Sequence, residues 1–287
     1  MTETDSVLPI PVVEVDWLQA HLGQPDLVVL DASVPPVVPG FESVNSESEF
    51  HAIPGALRFD YDQKICDLDS SLPHMMPSLE RFQSEVRKLG INSDSKIVVY
   101  DDVGVYASPR AWWMFRAMGH DRVTVLDGGL PAWIDAGCET AAALEKETRP
   151  GNFQARAADN GFCDFAVVLK ALDDPQTVIL DARSQARFDG TAPEPRPNLR
   201  SGHMPGAKNL PCVQVLADGH LKTAAELKKI FQPLVQEQQQ LITSCGSGIT
   251  ACILTLAANR AGHENLSVYD ASWAEWGMPS KLPVATD

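Results

Sequence analysis

Ser244-Cys245-Gly246-Ser247-Gly248-Ile249-Thr250 is the stretch that decides the fold, because this glycine-rich turn joins two apolar segments. Residues 240–243 are typical of a short strand, and residues 249–261 carry apolar side chains at helical spacing. In such a turn successive backbone N–H groups point into one concavity, and the positive end of the helix dipole adds to their attraction for an anion. We therefore expect Cys245 to be a thiolate nucleophile. The alternative is a small buried structural thiol, which the two neighbouring glycines disfavour.

The chain consists of two halves that repeat each other. Three pairs of segments match and keep their order: 28–33 with 178–183, 54–56 with 205–207, and 125–128 plus Trp133 with 268–271 plus Trp276. Short β-rich runs alternate with helical patterns in both halves, which predicts parallel strands joined by crossover helices. The expected fold class is α/β, with two tandem domains that each hold a parallel sheet flanked by helices on both faces.

The length of 287 residues fits two domains. We predict a first domain over residues 1–137, a linker over 138–161 with little apolar periodicity, and a second domain over 162–287 that carries Cys245. Strands are predicted at 27–30, 96–100, 123–126, 178–180, 241–243 and 267–269, and helices at 78–89, 107–118, 224–235 and 249–261. The first half has Asp101-Asp102-Val103-Gly104 where the second has Cys245-Gly246-Ser247-Gly248, so we expect one catalytic site.

Composition narrows the possible partners. The 23 basic and 38 acidic residues give a net charge of −15, which disfavours nucleic acid and anionic membrane surfaces. The six cysteines lack Cys-x-x-Cys spacing, so neither a metal site nor a disulfide framework is expected. The first residues, 1–5, show no basic region and no apolar core, from which we expect a cytoplasmic protein.

Several motifs resemble those of the tandem-domain sulfurtransferases of the rhodanese superfamily, most closely the 3-mercaptopyruvate sulfurtransferases. The motifs that carry the resemblance lie at residues 108–113, 194–197, 202–207, 245–250 and 269–276. The loop Cys-Gly-Ser-Gly-Ile-Thr is the most specific of them, since relatives that use thiosulfate carry Arg and Lys after the cysteine. Thiosulfate is a small dianion that cationic side chains beside the thiolate would favour, and Gly246 and Ser247 supply none.

The resemblance implies roles for individual residues. Cys245 is the implied nucleophile, and Ser247, His74 and Asp62 are the implied proton relay. The residues implied to bind substrate are Arg187, Arg196, Gly246, Gly248, Ile249 and Thr250. Two arginines can orient a carboxylate through bidentate hydrogen bonds. The alternatives are that the arginines are surface residues paired with Glu194 or Asp189, and that His74, in a proline-flanked turn, is structural.

The implied reaction transfers the sulfur of 3-mercaptopyruvate to a thiol acceptor such as reduced thioredoxin, or to cyanide, through a Cys245 persulfide and with release of pyruvate. The resemblance implies no cofactor. Thiosulfate sulfurtransferase and a persulfide carrier without turnover remain alternatives. A cysteine phosphatase is disfavoured, because its Cys-x5-Arg pattern requires arginine where the chain has Ala251.

Overall fold

A computed structural model of the chain describes residues 10–46, 48–146, 148–159, 161–236 and 238–286. Within these residues the fold divides into two compact units. The first unit has the bounds Met1–Cys66, Pro77–Asp159 and Asp218–Leu221, and the second has the bounds Asp67–Met76, Asn160–Ala217 and Lys222–Asp287. No helix in the described part of the chain is both long enough and apolar enough to cross a lipid bilayer.

The first unit is built on a five-stranded sheet in the order β1-β5-β4-β2-β3, with every neighbouring pair parallel. Its strands are β1 (Val12–Val13), β2 (Leu27–Asp31), β3 (Leu57–Arg58), β4 (Lys96–Tyr100) and β5 (Val123–Leu126). Its helices are α1 (Val15–His21), α2 (Leu79–Lys88), α3 (Ser108–Ala117) and α4 (Gly129–Asp135). The central strand β4 is buried throughout, which explains its unbroken apolar run Ile97-Val98-Val99.

The second unit repeats this arrangement with the parallel order β6-β12-β11-β7-β8. Its strands in this sheet are β6 (Phe162–Cys163), β7 (Thr177–Asp181), β8 (Lys208–Asn209), β11 (Gln240–Ser244) and β12 (Leu266–Tyr269). Its helices are α5 (Phe165–Ala171), α6 (Gln185–Phe188), α7 (Ala224–Phe231), α8 (Thr250–Ala261) and α9 (Trp273–Trp276). A 3-10 turn spans Cys212–Val215, followed by the two-residue strands β9 (Leu216–Ala217) and β10 (His220–Leu221).

The matched segments of the two halves occupy equivalent places, which confirms the duplication and the predicted fold class. Gly55 and Gly206 adopt positive φ angles of 78° and 76° in the turns that lead to β3 and β8. Trp133 and Trp276 are both buried, and the indole N–H of each donates to a backbone carbonyl 2.8 Å away. The matched glycines and tryptophans therefore play the same local roles in the two units.

All ten predicted strands and helices are present, with small differences at their ends. The largest concerns α7, which ends at Phe231 and not at residue 235, because Pro233 lacks the N–H that would continue the helix. The two-residue edge strands β1, β3, β6 and β8 were not predicted. Runs this short carry no periodicity from which a strand could be recognised.

Two short segments are assigned to one compact unit although the residues before and after them in the sequence belong to the other. Residues 67–76 belong to the second unit, and residues 218–221 belong to the first. Much of the segment predicted to be a linker is counted with the first unit, up to Asp159. In that unit Phe153 is 1% exposed and its ring contacts those of Phe82 and Phe115.

A carboxylate fills the loop of the first unit that corresponds to the Cys245 loop. In the two sheets Asp31 pairs with Tyr100 and Asp181 pairs with Ser244, so Asp101 and Cys245 occupy equivalent positions. Asp101 Oδ1 accepts from the N–H groups of residues 103 and 104, and Oδ2 accepts from those of residues 106, 107 and 108 and from the Ser108 hydroxyl, at 2.6–3.1 Å. The duplicated loop is thus a cradle whose N–H groups converge on a carboxyl side chain.

Burial raises the pKa of the Asp101 carboxyl, and the hydrogen bonds from Ser108, Tyr106 and Val103 oppose that shift. In the first unit the acceptor of these bonds belongs to the loop itself. The cradle therefore acts there as a structural device that joins β4 to α3, and it leaves no sulfur nucleophile in this loop.

We expect Asp101→Asn to lower the free energy of unfolding by about 3 kcal/mol, because its amide N–H₂ would face backbone N–H donors and leave them unpaired. Urea denaturation measures the effect. The matched control is Asp94→Asn, at an exposed position of the same unit, which should change stability by no more than about 0.5 kcal/mol. Equal losses in the two variants would contradict the role given to Asp101.

Candidate active site

Cys245 directly follows the last residue of β11, at the carboxyl edge of the second sheet. Its side chain is 1% exposed, but the surroundings are not purely apolar: the Gly248 N–H donates a hydrogen bond to Cys245 Sγ at 3.1 Å. Gly248 has φ of +80°, a conformation that directs this N–H back toward the sulfur and that L side chains rarely adopt. The loop therefore presents a main-chain donor to the thiol, as the sequence predicts.

The Cys245 loop is fastened to the segment that follows β12. The Cys245 N–H donates to Ser272 Oγ at 3.1 Å, and that hydroxyl donates to the Tyr269 carbonyl at 2.8 Å. The Cys245 carbonyl in turn accepts from the Trp273 N–H at 3.0 Å. Ser272 is fully buried and adopts φ of 52°, which is uncommon for a residue with a side chain. Both polar groups of the Cys245 backbone are thus held by one turn.

Two guanidinium groups lie over Gly246. A Cβ atom placed on Gly246 would lie 3.3 Å from Arg187 Nη2 and 3.8 Å from Arg196 Nη1. A larger side chain at this position would displace the arginines, so glycine at 246 allows them to approach the cysteine loop. The structure therefore brings together the arginines and the loop that the sequence analysis assigned to one site.

Arg187 is anchored by a chain of buried ion pairs. Its Nη2 donates to Glu194 Oε2 at 2.5 Å, and Arg183 Nη1 donates to Glu194 Oε1 at 2.8 Å. Arg183 also pairs with Asp181 at 2.6 Å and lies over the Trp273 ring at 4.1 Å. Burial disfavours the charge of Arg183, but the two carboxylates outweigh it and raise the pKa of the guanidinium. The alternative pairing of Arg187 with Glu194 is therefore present, together with its approach to the loop.

The other positions of the loop are enclosed. Ser247 is 6% exposed, and Ile249 and Thr250 are also buried where α8 begins. Cys252 Sγ donates to the Gly248 carbonyl at 3.2 Å, which holds the loop from the helix side. The role of Ser247 in proton transfer and that of Ile249 and Thr250 in substrate binding stay predictions.

Cys212 is a second buried thiol of the same unit. Burial, with a smaller contribution from the neighbouring Cys245, raises the pKa of Cys212 to about 12. A thiol with this pKa is almost wholly protonated at neutral pH and is a poor nucleophile. All six cysteines are free thiols in the structure.

His74 lies in the segment 67–76 of the second unit. The neighbouring Met76 N–H donates to the carboxylate of Asp270 at 2.8 Å, and Asp270 lies two residues before Ser272. His74 itself has φ of 61°, an uncommon conformation of the kind that clusters at functional sites. These contacts bring the His74 segment to the turn that fastens Cys245.

Asp62 belongs to the first unit, where its carboxylate accepts from the Gln63 side-chain amide at 2.9 Å and its carbonyl accepts from the Cys66 thiol. Its participation in a relay with His74 stays a prediction.

Sequence reasoning missed the supporting residues of the site. Asp181 and Arg183 lie at the end of a recognisable strand, and in the sequence their pattern Asp-Ala-Arg indicates only the repeat. The sequence suggests that Glu194 pairs with surface arginines, but its side chain is 2% exposed. Nothing in the sequence indicates the role of Ser272 except that it lies in the motif at 269–276.

The chain matches a known protein family over most of both units. The model of the rhodanese-like domain matches residues 14–136 and 164–278. The chain is similar to thiosulfate/3-mercaptopyruvate sulfurtransferase 1, mitochondrial, of Arabidopsis thaliana, with 41% identity over 96% of this chain and 78% of that protein. It is 39% identical to the 3-mercaptopyruvate sulfurtransferase of Escherichia coli K12, over 95% of this chain and 96% of the relative.

A solved structure extends the comparison to three dimensions. The crystal structure of SseA from Escherichia coli, described as a 3-mercaptopyruvate sulfotransferase with the rhodanese fold, superposes with a TM-score of 0.78 at 35% identity. The match covers 93% of this chain and all of that chain. The resemblance inferred from the motifs is confirmed.

We expect Ser272→Ala to lower the free energy of unfolding by about 2 kcal/mol, because it leaves the buried Cys245 N–H without its acceptor. Chemical denaturation measures the loss. Ser201→Ala, at an exposed position of the same unit, serves as the control and should change stability by less than about 0.5 kcal/mol. A Ser272→Ala protein as stable as the control would show that the hydroxyl does not hold the loop.

Proposed function

The chain belongs to the rhodanese-like family as a protein with two tandem domains, and we propose that it is a 3-mercaptopyruvate sulfurtransferase. It is an enzyme that moves sulfur, with the chemistry located in the second unit. The observation that carries the proposal is one arrangement: Cys245 receives a main-chain hydrogen bond at Sγ while two guanidinium groups lie over the adjacent Gly246. This arrangement supplies a nucleophile and a place for an anionic substrate beside it.

The first step is a displacement at sulfur. The Cys245 thiolate attacks the sulfur of 3-mercaptopyruvate, a new S–S bond forms, and the electron pair of the broken C–S bond leaves on carbon as the enolate of pyruvate. The enolate takes up one proton and becomes pyruvate. The product on the enzyme is the Cys245 persulfide. The step needs no external oxidant, because the electron pair of the broken C–S bond stays on carbon while the sulfur is transferred to Cys245.

The second step regenerates the enzyme. An acceptor thiolate attacks the outer sulfur of the persulfide, the S–S bond breaks, and its electron pair returns to Cys245 as the thiolate. The acceptor leaves as a persulfide, and cyanide in its place leaves as thiocyanate. Main-chain donors from the loop stabilise the negative sulfur before and after each displacement.

The surrounding residues have assigned roles in these steps. Arg187 and Arg196 orient the substrate carboxylate, and the backbone of Gly246, Gly248, Ile249 and Thr250 lines the anion site. Ser247, His74 and Asp62 form the proposed route for the proton that the enolate takes up. The position of the His74 segment beside the Ser272 turn supports the His74 assignment, whereas Asp62 rests on the family resemblance alone.

We also propose a reduced thioredoxin as a thiol acceptor and a cytoplasmic location. The free state of all six cysteines supports a reducing compartment. Cell fractionation tests the location, and turnover with thioredoxin in place of cyanide tests the acceptor.

Thiosulfate sulfurtransferase remains the alternative, since two similar relatives from Arabidopsis thaliana carry both substrate names. We expect the kcat/KM for 3-mercaptopyruvate to exceed that for thiosulfate. A cysteine phosphatase requires an arginine within the cysteine loop itself. Arg187 and Arg196 lie outside the loop, so the structure does not have that arrangement.

Replacing Cys245 by Ser should leave the fold intact and reduce pyruvate release from 3-mercaptopyruvate by a factor of roughly a thousand or more, because a hydroxyl at this site is neither ionised nor able to carry sulfur. Enzyme-coupled detection of pyruvate measures the loss. Cys138→Ser, in the first unit, provides the control and should keep full turnover. Turnover retained by Cys245→Ser would refute the assignment of the nucleophile. If the wild type took up one sulfur atom but did not turn over, the protein would be a persulfide carrier.

A further inference from the structure

The three arginines near the Cys245 loop differ in how many of their nitrogens donate hydrogen bonds to carboxylates. Arg183 is the most engaged: its Nε and Nη2 donate to Asp181, its Nη1 donates to Glu194, and Nη2 also donates to the Gly202 carbonyl. Its side chain is fully buried, so we regard it as a structural arginine and not as one that binds substrate.

Arg187 is engaged along one edge. Its Nη2 lies 2.5 Å from Glu194 Oε2 and its Nε lies 3.4 Å from Glu194 Oε1, so the edge formed by these two nitrogens faces the protein carboxylate. Both terminal nitrogens approach the loop: Nη2 lies 3.3 Å and Nη1 lies 4.0 Å from the position of a Cβ on Gly246. Arg196 makes no hydrogen bond or ion pair with any residue that the structure describes.

These pairings distribute the carboxylates unevenly among the arginines. Asp181 and Glu194 offset the charges of Arg183 and Arg187, whereas Arg196 has no carboxylate partner among the described residues. Glu194 is the carboxylate that offsets the charge of Arg187 beside Gly246, because it contacts Arg187 directly and its side chain is 2% exposed. A buried carboxylate at this distance is screened little by solvent, so its charge acts on any anion that Arg187 binds.

We propose that Glu194 is a specificity-determining residue that restricts the site to sulfur donors with a single negative charge. The inference deepens the proposed function, on which it rests. The single carboxylate of a 2-oxo acid thiol needs one guanidinium to compensate it, and Arg196 supplies a guanidinium that no described carboxylate offsets. A dianionic inorganic donor such as thiosulfate requires twice the compensation, and Glu194 cancels the charge of the arginine that would supply it.

A specificity-determining Glu194 and a merely structural ion pair predict different results when the charge of Glu194 is removed. Removing its charge while keeping its shape releases the charge of Arg187, and one added positive charge attracts a dianion twice as strongly as a monoanion. Selectivity should therefore move toward thiosulfate. Loss of structure alone would lower the rates with both donors together.

The experiment compares Glu194→Gln, Glu194→Asp and Asp189→Asn with the wild type. Glutamine keeps an acceptor oxygen for Arg183, and aspartate keeps the negative charge. Asp189→Asn makes the same change of net charge in the same segment, where the Asp189 carboxylate accepts from the Gln185 amide and touches neither arginine in the contacts described. For each protein kcat/KM is measured with 3-mercaptopyruvate and with thiosulfate, using cyanide as the acceptor.

We expect Glu194→Gln to raise the ratio of kcat/KM for thiosulfate to that for 3-mercaptopyruvate by about tenfold, mainly through KM. Glu194→Asp should return most of the wild-type ratio, and Asp189→Asn should leave it unchanged. A ratio unaltered in Glu194→Gln, or altered equally in Asp189→Asn, would overturn the proposal.

Binding measurements keep this test separate from the proposed function. In protein that carries Cys245→Ser, calorimetry gives the affinities for pyruvate, a monoanion, and thiosulfate, a dianion, with and without Glu194→Gln. We expect the added substitution to favour thiosulfate by a similar factor even if the wild type turned over neither donor. No change in relative affinity would refute the role of Glu194, whereas failure of pyruvate release by the wild type would refute only the proposed function.

Discussion

The hydrogen bond from the Gly248 N–H to Cys245 Sγ is the interaction on which the account of this protein depends. It requires a positive φ at Gly248, a strand that ends at Ser244 and a turn at Ser272 that fixes the Cys245 backbone. A buried thiol without such a donor would be a packing residue. With it, the same side chain lies in a place built for a negative charge, next to two guanidinium groups.

The first unit gives an internal comparison for this loop. At the position of Cys245 it carries Asp101, whose two oxygens are surrounded by backbone N–H groups and one hydroxyl. The duplicated fold thus directs main-chain donors toward a side-chain acceptor in both units. In one unit that acceptor is a carboxyl group that joins strand to helix, and in the other it is a sulfur that can form and break a bond.

Much of the fold was predictable from the sequence because its signals are long or repeated. The interior strands are unbroken apolar runs, and the order of matched segments established the duplication. The edge strands of two residues offered no periodicity, and the end of α7 depended on Pro233 rather than on the apolar pattern. The assignment of residues 67–76 to the second unit was also out of reach, since it depends on contacts between Leu72, Met75 and a distant core.

Within the site, the nucleophile and the two arginines could be predicted from motifs, but the residues that hold them could not. Glu194 has the composition of a surface residue and is buried only because two arginines converge on it. Ser272 acts through a hydroxyl and an unusual backbone conformation, neither of which a single sequence reveals. Long-range ion pairs and turns that fasten one loop to another are properties of the assembled sheet edge.

Mass spectrometry of the protein after brief exposure to 3-mercaptopyruvate, without an acceptor, is the decisive test of Cys245 as the sulfur carrier. We predict one added sulfur atom, located on the peptide that contains Cys245 and removed by cyanide or a thiol. Release of pyruvate without that adduct, or sulfur bound to Cys212 or another cysteine in its place, would contradict it.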